Sequence, residues 1–412
     1  MITPSFGLTA TERVLPRLAL DWTTGLPQDG VDVVRADVAT FVGSNSLIQS
    51  ASANTQRVDY SSGVPALLVE ETRTNLNTYS NGSYVNGSNG YVNSGTLATT
   101  VAGIDGTVNA QQFTFGSGSV QNVYKIFAVS ASTAYAFSFY YQLGTYPESN
   151  FRIAFRDDTN GAFISTDIVP TKTLLSNGWV RATHTVTTPV GCLLLRCYML
   201  RFTPSTAGTI AFDGVQLEAG ATVTSYIPTT TVAVTRNADV PTMTGTNFSD
   251  WYKAGSGTIV VKVSQRSISG IRPIVQLDDT TTDNFIVLRG NAANPELYIK
   301  ATTDQAQIDA GTIAANTAYR LAGSWAANSV AASVNSGTPV LDGSATIPTV
   351  TQMRIGSDGT NYLNGWIESI EYYDQQLFPS NLQLLSASKG NRSVINTVMT
   401  SVAGSVINRV IT

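Results

Sequence analysis

A single histidine, His184, limits the chemistry open to this 412-residue chain. Metal sites built on several imidazoles are excluded, and an acid–base centre needs convergent partners with tuned pKa values. His184 lies in "WVRATHTVTTP" and alternates with Val180, Ala182 and Val186, which is the pattern of a core or sheet-edge strand residue. No nucleophile-elbow string accompanies it. Cys192 and Cys197 in "GCLLLRC" are five apart. In a strand that odd spacing sends them to opposite faces, so they do not bridge, and they read as small core residues of a protein made in a reducing compartment. The densest carboxylates, Asp278, Asp279 and Asp283 in "LDDTTTDNF", read as a polar turn, with a calcium site or a catalytic carboxylate as alternatives. Glu368 and Glu371, in "IGSDGTNYLNGWIESIEYYDQQL", are three apart. A regular strand puts them on opposite faces, so they are not the facing carboxylates that glycoside hydrolysis requires. The chain reads as a non-enzyme.

Binding asks for different residues. Tyrosines can stack on pyranose rings while amides and carboxylates take the hydroxyls. Tyr79, Tyr84, Tyr91, Tyr124, Tyr140 and Tyr198 are the candidates. In "AYAFSFYYQL", Tyr135, Phe137, Phe139 and Tyr141 share one face of a strand, so Tyr140 points the other way, toward solvent.

These residues sit on strands almost throughout. Period-2 runs such as "FRIAFRD", "LLLRCYMLRFT", "TIVVKVS" and "NFIVLRG" are separated by Gly, Asn, Asp and Ser, and no segment before residue 379 shows helical periodicity. Asn335-Ser336-Gly337 marks a hairpin. The expected fold class is all-β, as tandem β-sandwiches. The expected organisation is an N-terminal arm over 1–30, a small β segment over 31–74, one sandwich over 75–235, a second over 236–388, and a tail over 389–412. A linker-like stretch, "SYIPTTTVAVTRNADVPTMTG", separates the sandwiches. The tail repeats tetrads with Val394, Val398, Val402, Val406 and Val410. Its spacing traces a drifting helical stripe although Val, Ile and Thr disfavour helix, and it is a possible oligomerisation element.

Composition fits this picture. Apolar residues reach 42% and charged residues only 13%, about half the usual charged share. A formal net charge of −4, with no Lys/Arg cluster, argues against nucleic-acid binding. No apolar run is long enough to span a membrane, and the first residues lack the basic and apolar regions of a signal peptide.

Three strings, "VPALLVEETRTNLNTYS", "FDGVQLEAGATVTSYIPTTTVAVTRNADV" and "ATFVGSNSLIQSASANTQRVDY", resemble segments of structural proteins of tailed bacteriophages: head spikes, fibres and tail-associated adhesins. "NGWVRATHTVTTP" and "TIAFDGVQLEAG" resemble strands of the jelly-roll carbohydrate-binding modules. "SVAASVNSGTPV" and "MRIGSDGTNYLNGWIESIEYYDQQL" resemble the closing strands of concanavalin-like and laminin-G-like sandwiches. The resemblance implies a virion surface protein that meets other capsid or tail proteins, forms a homo-oligomer with a trimer favoured, and binds host surface polysaccharide. It implies a packing role for Trp179 and Trp366. It also implies a structural calcium at Asp213, although the second acidic ligand of that family has no counterpart in "TNLNTYSNGSY". A purely structural adaptor or cement protein and a polysaccharide depolymerase are the alternatives.

Overall fold

The computed structural model describes residues 14–80, 84–85, 87–117, 120–175, 177–202 and 207–387. The expectation for the tail over 389–412, and that for the first thirteen residues of the arm, fall outside the described residues. The described chain is all-β, with several antiparallel sheets that pack as sandwiches. Helix is confined to short pieces, chiefly Thr246–Ser249 and Pro379–Leu385.

One sandwich is built entirely from the middle of the chain. A six-stranded sheet runs in the order Thr171–Leu174, Val180–Thr187, Ala134–Leu143, Gly208–Ala219, Val108–Phe115, Thr96–Ala102. It faces a five-stranded sheet ordered Ala162–Ile168, Ile153–Asp157, Leu194–Phe202, Gln121–Ala128, Tyr91–Asn93. The alternation of aromatic and polar residues decides which faces meet. Tyr135, Phe137, Phe139 and Tyr141 join Val123, Phe155 and Leu200 in one buried cluster.

The other sandwich corrects the expected domain order. Its strands Gly257–Gln265, Tyr319–Ala326 and Gly365–Tyr373 form the centre of an eight-stranded sheet whose remaining members include Leu18–Asp21, Val58–Asp59 and Ala66–Val69. Asp32–Val34 closes the opposing seven-stranded sheet by pairing with Val240–Met243. Leu18–Asp21 of the expected arm, and Asp32–Val34, Val58–Asp59 and Ala66–Val69 of the expected small segment, are therefore strands of the C-terminal sandwich, and Trp22 and Leu67 lie in its core. Within the linker-like stretch, Val234–Arg236 pairs with Arg73–Asn75 where the chain enters and leaves the middle sandwich. A strand supplied from 200 residues away leaves no local signature, because its partner's edge, not its own pattern, selects it.

A bulge explains a further departure. Between the pairs Lys262↔Ser369 and Val263↔Ile367 one residue, Glu368, is extra. The alternation slips there, so Ile367 and Ile370 both enter the core. Glu368 pairs with Lys262 at 2.5 Å on the outer face. Glu371 lies on that same outer face, opposite Val260, rather than on the opposite one.

Two devices hold the sandwiches together. The hairpin Ala39–Val42/Ile48–Ala51 lays Val42 and Ile48 on the outer face of the six-stranded sheet, against Tyr140, Leu175, Trp179 and Tyr226. Each such buried aliphatic side chain contributes about 1.5–3 kcal/mol. Beside it lies a buried ionic network. The Arg57 guanidinium donates to Glu70 Oε2 (2.9 Å), to Asp239, to Ser225 Oγ (2.8 Å) and to the Thr40 carbonyl (2.8 Å). Arg35 Nη1 donates to Asp239 Oδ1 at 2.8 Å, and Arg266 and Arg236 flank Glu70. Burial alone pushes the Glu70 carboxyl up; Arg57, Arg266, Arg236 and the Ser225 hydroxyl outweigh it and hold it well below the usual carboxylate range.

Candidate functional site

The outer face of the five-stranded sheet carries an aromatic and guanidinium layer. In Gln121–Ala128 the residues Val123 and Phe127 face the core, which turns Tyr124 outward. In Leu194–Phe202 the same alternation turns Arg196 and Tyr198 outward. Met199 is then an extra residue, opposite the step from Val123 to Tyr124. This bulge returns Leu200 to the core and brings Arg201 onto the outer face beside Tyr198. The neighbouring strands supply Arg156 and Phe163, which face each other across their ladder.

The geometry is tight. Tyr124 and Tyr198 have ring centroids 4.9 Å apart, and Phe163 stacks on Tyr198 at 6.0 Å. The Arg196 guanidinium lies 4.4 Å from the Tyr124 ring centre, and that of Arg201 lies 4.5 Å from Phe163. Asp158 Oδ2 accepts from Arg196 Nε (2.9 Å) and Nη2 (2.6 Å), while its other oxygen accepts from Arg156. Arg196 Nη1 also reaches the Tyr198 hydroxyl at 3.2 Å. Phe163 is 42% exposed and Tyr198 only 4%, so Tyr198 forms the floor.

Of the six tyrosines singled out by sequence, this face unites Tyr124 and Tyr198. The others lie elsewhere. Tyr84 and Tyr91 are fully buried and meet edge to face at 4.9 Å. Tyr91 accepts a hydrogen bond from Asn77 Nδ2 (2.8 Å), and Lys125 Nζ lies 4.7 Å above its ring. Burial pulls the Lys125 ammonium down to about 8. Tyr79 is half-buried, with a φ of 58°. Tyr140 does face away from the aromatic core, but solvent does not reach it: it is 2% exposed beneath the 39–51 hairpin. The expectation of a solvent-facing Tyr140 is thus corrected, because a segment remote in sequence covers the outer sheet face.

Tyr140 instead floors a cleft of about 670 Å³ between the sandwiches. Arg181, Lys262, Arg266, Trp366, Asp59 and Glu368 line it with a row of threonines. Its charged groups are spoken for. Asp59 accepts from Trp366 Nε1 (2.9 Å) and the Val42 N–H (2.7 Å), Glu368 pairs with Lys262, and Arg266 bonds Glu70 while lying 4.3 Å above Trp366. Trp366 therefore packs, but on the outer face of its sheet. His184 stacks on Phe155 at 5.4 Å at the edge of the middle sandwich, and burial lowers its pKa. Cys192 and Cys197 are buried free thiols. Asp278 closes its turn from within, accepting from Gln352 Nε2 (2.6 Å) and Arg354 Nε (2.9 Å).

Asp213 is fully buried in Gly208–Ala219. Its oxygens accept from the N–H groups of Ile104 (3.0 Å) and Gly214 (2.8 Å). Desolvation pushes the carboxyl up to about 6 against those two bonds. Asn109 Oδ1 is buried without a partner, and a Cβ on Gly103 would meet both it (2.3 Å) and Asp213 Oδ2 (2.4 Å). Calcium takes six to eight oxygens, and among the described residues no three His, Cys, Asp or Glu side chains gather. Two side-chain oxygens, one already holding an N–H, do not fit a calcium cage; the N–H donors suit a carboxyl held by the backbone.

No family model matches the sequence, and no curated protein matches it. Among solved structures, similarity extends to the Ruminococcus gnavus IT-sialidase CBM40 bound to α2,3-sialyllactose (15% identity, 32% of this chain and 83% of that one, TM-score 0.29). It extends also to domain 4 of AbnA, a GH43 extracellular arabinanase from Geobacillus stearothermophilus, in complex with arabinotriose (16%, 36% and 73%, TM-score 0.29). The SAP-like pentraxin of Limulus polyphemus is a third (12%, 32% and 70%, TM-score 0.25). Likeness of this size identifies neither a family nor a ligand for this chain.

Proposed function

We propose that this chain is a non-enzymatic saccharide-binding protein, and that the outer face of the five-stranded sheet is its contact surface. One observation carries the reading: Phe163 and Tyr124 lie on either side of the buried Tyr198 ring in a continuous aromatic layer edged by guanidinium groups on the outer sheet face. What supports a binding role over hydrolysis is that the cleft carboxylates Asp59 and Glu368 are held by donors and a lysine. Asp213, the carboxyl raised toward neutrality, is closed to solvent. The setting rests on the resemblance of the sequence strings: a head spike, fibre or decoration component on a tailed-phage virion, assembled as a homotrimer and meeting other virion proteins and host surface polysaccharide. Repetition on a particle raises effective concentration and turns weak single contacts into adhesion.

The test incubates the full chain with bacterial surface polysaccharides and records bound protein and released reducing ends together. Binding without release is expected, with Tyr124→Ala and Phe163→Ala reducing it. Release of reducing ends would establish the depolymerase alternative instead. A structural adaptor is favoured by a different observation: Val340 and Leu341 are exposed on an edge strand, and Phe378 and Leu384 are exposed on and beside the helix Pro379–Leu385. Neither binding nor release from an assembled oligomer would select that reading.

A further inference from the structure

Resting on the saccharide reading above, we propose that this face recognises an acidic saccharide, through a carboxylate held in the fork of Arg201. The rings of the layer are not bare. A guanidinium lies on Tyr124 at 4.4 Å and another on Phe163 at 4.5 Å, so the face offers a ligand N–H edges as well as ring surface. A guanidinium held against aromatic rings keeps its planar fork of donors, and that fork matches a carboxylate bidentately.

The three central arginines differ in what they already hold. Arg196 and Arg156 share Asp158, and that carboxylate locks both. Arg201 makes no side-chain hydrogen bond or ion pair among the described residues; its contacts are the rings of Phe163 and Tyr198. Across the ladder, Arg201 N–H donates to the Arg152 carbonyl (2.9 Å), and among the described residues the Arg152 guanidinium reaches only the Phe151 carbonyl (Nη1, 2.8 Å). Among the guanidiniums of Arg152, Arg156, Arg196 and Arg201, those of Arg156 and Arg196 thus share the carboxylate of Asp158, on a protein whose formal charge is −4. A local excess of positive charge on a negative chain draws an anion to this face and repels it elsewhere.

The experiment uses the full chain in physiological salt with polygalacturonate, alginate and hyaluronan, each beside its own carboxyl-reduced form, and dextran sulfate as a charge-only probe. Expected is at least ~10-fold tighter binding of one acidic polymer than of its reduced form, as one charge-assisted hydrogen-bonded pair supplies. Arg201→Gln should remove that difference while leaving the thermal midpoint in place. Arg201→Lys, which keeps the charge and loses the fork, should restore less than half of the difference. Equal affinity for acidic and reduced forms would overturn the acidic assignment and leave the saccharide reading standing. Equal binding of dextran sulfate, with full rescue by lysine, would replace carboxylate recognition by general polyanion attraction. Binding of no polymer at all would remove both the assignment and the saccharide reading beneath it.

Discussion

Arg57→Met would remove the guanidinium that hydrogen-bonds both buried carboxylates at the junction of the sandwiches while keeping an apolar stem of similar length. The structure sets the size of the effect. Arg57 is 1% exposed and donates to Glu70, Asp239, Ser225 and the Thr40 carbonyl, four groups drawn from three separate stretches of chain. Taking one partner from a buried ionic network costs about 3–5 kcal/mol. Here Asp239 keeps Arg35, and Glu70 keeps Arg266 and Ser225. The lower end, about 3 kcal/mol, is therefore expected, a large share of the ~5–15 kcal/mol that holds a domain folded. Urea unfolding reads this directly, followed in parallel by tryptophan fluorescence and far-ultraviolet dichroism. Trp22, Trp251 and Trp325 report the C-terminal sandwich, in whose core they lie. Wild-type protein should unfold with coincident transitions. The variant should shift the midpoint and separate the two signals as the sandwiches lose their tie. The sign with pH follows from Glu70, whose folded pKa is depressed. Its contribution is full above its unfolded pKa and is lost only as pH falls through the lower folded value, so Arg57→Met should raise the pH of acid unfolding. A loss below about 1 kcal/mol, the size of an exposed pair, with coincident transitions, would refute the tie.

Asp213 carries the opposite sign. A folded pKa near 6 against an ordinary value of about 3.9 makes stability fall by up to ~3 kcal/mol as pH rises from 4 to 6. Asp213→Asn should flatten that slope in thermal unfolding measured across the same window, and an unchanged slope would place its origin elsewhere. Calcium or a chelator should leave the wild-type thermal midpoint where it is, since the oxygens around Asp213 do not form a cage; a calcium-dependent rise of several degrees would contradict this.

The residues alone determined the class of fold and the inward faces. Tyr135, Phe137, Phe139 and Tyr141 lie on one side of a strand because the period of a strand is two, whatever surrounds it. The turn at Asn335 and Ser336, with φ of 48° and 65°, was legible for the same local reason. The aromatic face was half legible. Arg196 and Tyr198 follow from alternation, but Arg201 reaches that face through a bulge at Met199, which depends on the register of the partner strand. The same holds for Glu368 and Glu371, whose faces are set by an extra residue opposite Lys262 and Val263. Tertiary structure alone decided what covers Tyr140, which early strands complete the late sandwich, and which arginines meet Glu70 and Asp239. Those contacts join residues as far apart as Arg35 and Asp239. Alternation specifies a direction for each side chain, whereas the neighbour it meets there is chosen by the packing of the whole chain.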